Sequence, residues 1–154
     1  MRNAILGFIL MLIIVICIWL FTRKENKNEI AKHYRISKPT LQKWVQYFPG
    51  KMSLQDWKKR RKLTVWESES MKHDWGINPE MVLNKTQIAD KASASNKVLK
   101  KYVMENLEKI GLTQEAWDKC SVFPPIICQR IIDLLIGKPE PSLEERLQKV
   151  LSQS

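Results

Sequence analysis

The stretch NEIAKHYRISKPTLQKWVQYF, residues Asn28–Phe48, decides how this chain folds. Ile30, Ala31, Tyr34, Ile36, Leu41 and Trp44 fall where two short crossed helices need apolar or small residues, and the positions between them are polar and mostly basic. The spacing predicts a first helix from about Asn26 to Tyr34, a turn at Arg35-Ile36-Ser37, and a second helix to about Phe48. Ser37 is suited to capping the second helix, and Pro39 sits in its first turn, where a missing N–H costs nothing. Pro49-Gly50 then stops it. Ala31 is small where the helices cross, Ile36 plugs the turn, and Leu41 and Trp44, with Val45 or Phe48, face inward. Lys38, Thr40, Gln42, Lys43 and Gln46 are left outside.

This layout resembles the helix-turn-helix family of DNA-binding modules, especially those of transposases, resolvases and small bacterial regulators. The resemblance implies that the second helix lies in the major groove and presents Ser37, Lys38, Thr40, Gln42, Lys43 and Gln46 to base edges. In that reading Gln42 and Gln46 read adenine, and Lys38 and Lys43 read guanine or hold phosphate. Lys32, Arg35 and the run Lys58–Lys62 neutralise backbone charge. Arg35 stands at the turn position that the family usually gives to glycine.

Upstream, Ala4–Phe21 is a run without a single charge, AILGFILMLIIVICIWLF. At ~1.5 Å per residue it is ~27 Å long, close to the hydrocarbon thickness of a bilayer. One charge precedes it (Arg2), no small-x-small cleavage site follows, and Arg23, Lys24 and Lys27 come next. These features fit an uncleaved anchor over residues 1–22 rather than a signal peptide. The positive-inside rule places the bulk of the chain in the cytoplasm, behind a single pass through the cell's inner membrane.

Downstream, Ser53-Leu-Gln-Asp-Trp57 reads as a third helix running into Lys58–Lys62, which completes a basic unit over residues 23–62. Residues 63–84 read as a connector with strand-like alternation in LTVWESES, packing Trp66 and Trp75 on a neighbouring unit. From residue 85 the opening pattern returns. At an offset of 58, Ile30-Ala31 matches Ile88-Ala89, Ser37 matches Ser95, Leu41 matches Leu99, Lys43 matches Lys101 and Val45 matches Val103. Trp57 corresponds to Trp117 after a shift of two. This second unit, residues 85–137, offers Ser95, Asn96, Lys97, Lys100 and Lys101 to a duplex, with Met104 in place of Gln46. IICQRIIDLLI (Ile126–Ile136) is apolar on most faces and reads as its central helix or as an interface. Residues 138–154 carry an amphipathic helix capped by Ser142, with Leu143, Leu147, Val150 and Leu151 spaced for self-association.

The expected fold is therefore all-α: a transmembrane helix followed by two small helix-turn-helix-like units. The net charge of +10 calls for an anionic partner. It is unevenly placed: residues 23–62 hold 13 Lys/Arg against 3 Asp/Glu, while residues 63–154 hold 12 against 13. No glycine-rich phosphate loop, acidic metal cluster or nucleophile–histidine pairing is legible, so no catalytic residue, metal or cofactor is expected. His33 reads as a surface residue. The three cysteines show no metal-ligand spacing and suit a reducing compartment.

The function expected is membrane-anchored binding of double-stranded DNA, regulatory or DNA-positioning. The alternatives are an interaction module with a lipid-facing basic surface and an accessory DNA-binding subunit of a mobile-element system. One tension is geometric. Only about five residues separate the apolar segment from the first helix, a reach of ~17 Å when extended.

Overall fold

The computed structural model describes residues 2–137; within its first helix, side chains are described from Gly7 to Trp19. The expected helix over residues 142–151 lies outside the described residues. The described chain is mostly helical and divides into two compact units, the first ending at Ile77 and the second beginning at Asn78.

Unit 1 begins with α1 (Arg2–Thr22), 21 residues long. Phe8 to Ile16, Ile18 and Trp19 are exposed all round it. Among the described residues, no helix is long and apolar enough to cross a membrane, so the all-α expectation is met without support for its transmembrane helix. Next come β1 (Lys24–Asn26), α2 (Lys27–His33), α3 (Lys38–Tyr47), α4 (Leu54–Lys59), β2 (Lys62–Thr64) and α5 (Val65–Trp75). Unit 2 opens with a single 3-10 turn (Pro79–Met81). It continues with β3 (Leu83–Asn84), α6 (Lys85–Lys91), α7 (Asn96–Glu105), α8 (Leu107–Ile110), α9 (Gln114–Lys119), β4 (Val122–Phe123) and α10 (Pro125–Leu135).

Two antiparallel ribbons accompany the helices, and of their four strands only β2, at the Leu63-Thr64 start of LTVWESES, falls where the sequence alternates. Lys24 pairs with Thr64, Glu25 with Leu63 and Asn26 with Lys62. In unit 2, Leu83 pairs with Phe123 and Asn84 with Val122. One ribbon ties the residues entering α2 to those leaving α4 and the other the residues entering α6 to those leaving α9, and Leu63 and Phe123 are fully buried in the cores. Strands of two or three residues are too short to show a period of their own.

The helices start where short polar side chains can satisfy orphan N–H groups. Ser37 accepts from Thr40 N, Ser53 from Asp56 N, Ser95 from Val98 N and Thr113 from Ala116 N. Thr64 and Asn84 form reciprocal capping boxes with Glu67 and Gln87.

The stretch 63–84 is not a connector. Leu63 and Thr64 belong to β2, and the Thr64–Glu67 box starts an 11-residue helix that completes unit 1. Leu83 and Asn84 belong to unit 2. Unit 1 therefore runs to Ile77 rather than Lys62, and unit 2 begins at Asn78 rather than Lys85. The buried face of α5 is Ser68, Met71 and Trp75, at helical spacing. Its apolar signal is obscured because one member is a serine, while Trp66 lies outside the face at 73% exposure. Trp75 packs as expected; Trp66 does not.

The core of unit 1 is an aromatic triangle. The rings of Tyr34, Trp44 and Trp75 meet edge to face, with centroids 5.2–6.3 Å apart. Their polar atoms are satisfied at the end of α5: Tyr34 Oη donates to Gly76 O at 2.9 Å, and Trp75 Nε1 donates to Phe48 O at 3.0 Å. Unit 2 exchanges these roles. Ala92 and Tyr102 stand where unit 1 has Tyr34 and Trp44, and Tyr102 Oη now ties α7 to α10 through Leu134 O at 3.0 Å. Ile127, Cys128, Ile131 and Ile132 of α10 are buried, so α10 is central to unit 2.

Candidate nucleic-acid interface

The two helices of the opening stretch are set by the turn between them. Arg35 has φ 54°, the left-handed conformation expected at this position despite the absent glycine, and Ser93 repeats it at φ 52°. The bonds Arg35 N to Lys32 O and Ile36 N to Ala31 O close the turn, and Ser93 N to Asp90 O with Ala94 N to Ala89 O do the same in unit 2. Ser37 then caps α3 from an extended conformation, and its hydroxyl also lies 2.9 Å from Thr40 Oγ1.

This geometry buries Leu41, Trp44 and Val45 and leaves the opposite face of α3 open. Ser37, Lys38, Gln42, Lys43 and Gln46 are exposed; Thr40 is half-buried beside its cap. Lys32 and Arg35 are exposed on the preceding helix and turn, Lys32 pairing with Glu29 at 3.5 Å. In unit 2, Ser95, Asn96, Lys97, Lys100 and Lys101 are all exposed. No carboxylate occurs between Glu29 and Asp56, so the outer face of α3 is uniformly positive or neutral.

The tertiary structure adds a groove of about 440 Å³ beside α3. It is lined by Lys38, Leu41 and Gln42 of α3, by Asn26, Lys27 and Asn28, and by Trp57, Arg61 and Lys62. The pairing of Asn26 with Lys62 brings the second and third groups together from 36 residues apart. Four cations thus line one depression without a lining carboxylate. Lys27 Nζ rests 4.3 Å from the centroid of the Trp57 ring and donates to Trp57 O. Burial lowers its pKa from the usual lysine value, while the ring face and the carbonyl favour the charge. Unit 2 repeats the stack with Lys85 over Trp117 at 4.8 Å.

Of the residues expected at a duplex from the opening stretch, the structure brings Lys38 and Gln42 into the groove. Lys32, Arg35, Lys43 and Gln46 are not among its lining residues. Of the basic run Lys58–Lys62, only Arg61 and Lys62 line it. Asn26, Lys27 and Asn28 were missed. Their signal was indirect, since their place in the groove depends on the ribbon. His33 is half-buried rather than free on the surface, edge-on to Tyr34 with centroids 4.7 Å apart and Nε2 3.2 Å from Ile77 O. Among the described residues, no group of His, Cys, Asp and Glu is placed to hold a metal. Comparison of the chain with protein-family models, curated proteins and solved structures gives no match.

Proposed function

We propose that this chain is a membrane-anchored helix-turn-helix protein that binds double-stranded DNA, in a regulatory or DNA-positioning role. The observation that carries the reading is the carboxylate-free face of α3, continuous with a groove holding four cations. A helix about 10 Å across fits the major groove, Gln42 and Gln46 suit adenine edges, and the cations of the groove suit the flanking phosphates. The sequence of residues 2–22 supports the anchor: it is helical, with only Arg2 charged, and is followed by Arg23 and Lys24.

The test is duplex binding by the full chain in zwitterionic nanodiscs, measured against salt. DNA binding gives a steep linear fall of log K with log salt, about 0.9 for each phosphate neutralised. Gln42→Ala with Gln46→Ala alters the sequence preference in a selection from random duplexes, whereas Lys38→Ala lowers affinity for all sequences and flattens the slope by about one. Absence of duplex binding at low salt rules the reading out.

One observation favours a second reading, in which the basic surface meets anionic lipid. The short tether expected between anchor and unit does not exist as free chain. Only Arg23 separates α1 from β1, and its guanidinium lies 5.5 Å from the centroid of the Trp19 ring. Anionic headgroups attract such a juxtamembrane cluster by ~1 kcal/mol per basic residue. Retention on anionic vesicles with no affinity for duplex selects this reading.

A further inference from the structure

The two units share one succession of elements but differ in the charges they mount on it. Three exposed positions are equivalent by their place in the fold. Lys32 is the penultimate residue of α2, and Asp90 is the penultimate residue of α6. Lys38 opens α3, and Asn96 opens α7. Arg61 is the last residue before β2, and Ser121 is the last before β4. In each pair the cation belongs to unit 1, and in the first pair unit 2 reverses the charge.

The residues that match the groove of unit 1 show the same loss. Its four cations, Lys27, Lys38, Arg61 and Lys62, correspond in unit 2 to Lys85, Asn96, Ser121 and Val122. Lys100 stands where unit 1 has Gln42, so two cations replace four. Unit 2 keeps the serine cap, the left-handed turn residue and the lysine stacked on a tryptophan. α7 keeps Lys101 where α3 has Lys43 and adds Lys97 and Lys100, so the loss is confined to the cations Lys32, Lys38, Arg61 and Lys62, which flank the helix or line the groove.

We infer that the units are divided in role: unit 1 grips the sugar-phosphate backbone of a duplex through Lys32, Lys38 and Arg61, and unit 2, which has Asp90, Asn96 and Ser121 at those places, lacks that grip. This rests on the DNA reading above. Each lost cation removes one counterion-releasing contact, and Asp90 adds a repulsion at the flank where Lys32 attracts.

The experiment exchanges the three positions between the units, in the full chain in zwitterionic nanodiscs, with a fluorescent duplex of random sequence as probe. Lys32→Asp with Lys38→Asn and Arg61→Ser is expected to lower affinity at least tenfold at about 0.1 M salt and to flatten the salt slope by about two to three. The reciprocal Asp90→Lys with Asn96→Lys and Ser121→Arg is expected to steepen the slope by a similar amount. All six side chains are exposed, so unfolding midpoints should stay near that of the unaltered chain. If the first exchange leaves affinity within twofold and the slope unchanged, the division of roles is wrong while DNA binding stands. If the first variant fails to fold, the reciprocal one decides: an unchanged slope overturns the inference, a steeper one supports it. An unaltered chain with no duplex affinity removes the DNA reading itself.

Discussion

At the scale of single residues, the two turns expose a conflict between conformation and chemistry. Arg35 and Ser93 sit in the left-handed region without the glycine that occupies it at least cost. That conformation costs an L-residue roughly 1–2 kcal/mol, part of which glycine's greater unfolded-state entropy offsets. Ser93→Gly should therefore stabilise unit 2 by about 0.5–1 kcal/mol in denaturant unfolding. Arg35→Gly should stabilise unit 1 similarly while weakening duplex binding, because it also removes a cation from beside α3. A second residue-level prediction concerns pH. Burial pushes the Cys128 thiol from 9.0 up to about 12, and Tyr34 is raised from its ordinary value by burial and by the Glu69 carboxylate. Both groups are held neutral in the fold. Their contribution is complete below the unfolded-state values and is lost as pH climbs toward the folded ones. The thermal midpoint should fall steadily between about pH 9 and 12, and Cys128→Ala should flatten that fall. Cys128 should also resist thiol alkylation at pH 8 until the chain is unfolded.

At the scale of elements, α5 shows how a helix can be hidden from periodicity. Its inward face is Ser68, Met71 and Trp75, and Ser68 Oγ donates to Glu25 Oε2 at 2.5 Å rather than contributing apolar area. The bulkiest apolar residue near its start, Trp66, points away. The informative signal was Thr64 followed three residues later by Glu67, a capping box that overrides the strand-like alternation. The element's role can be measured by contrasting its two tryptophans. Trp75→Ala should cost about 3–5 kcal/mol, because it empties one corner of the aromatic triangle and removes the hydrogen bond from Trp75 Nε1 to Phe48 O. Trp66→Ala should stay within about 0.5 kcal/mol in equilibrium unfolding. Equal costs would mean that α5 does not dock through this face.

At the scale of the whole molecule, the proposed anchor and the proposed anionic partner are one question, because β1 follows α1 after a single residue. The membrane half is testable apart from the DNA half. The full chain should remain in the pellet after alkaline carbonate extraction of membranes. Leu12→Arg combined with Ile14→Arg, placing two charges near the bilayer centre at a cost of roughly 2.5–3.5 kcal/mol each, should release it to the supernatant. Release of the unaltered chain would show that α1 does not hold it in the bilayer.

The sequence by itself determined the helices that carry their own instructions. Ser37, Ser53 and Ser95 mark starts, Leu41, Trp44 and Val45 mark an inward face, and the offset of 58 marks a second occurrence of the same plan. Capping and 3.6-residue periodicity act within a few residues, so they are legible in a single chain. The exposed residues of α3 followed from the same periodicity. Only the tertiary structure decided where each unit ends and what stands beside α3. Those depend on ribbons that join Asn26 to Lys62 and Asn84 to Val122. Strand pairing is made of backbone hydrogen bonds between distant segments, and backbone groups are the same in every residue but proline. No side-chain pattern announces such a pairing when the strands are two or three residues long. The groove of four cations is its product.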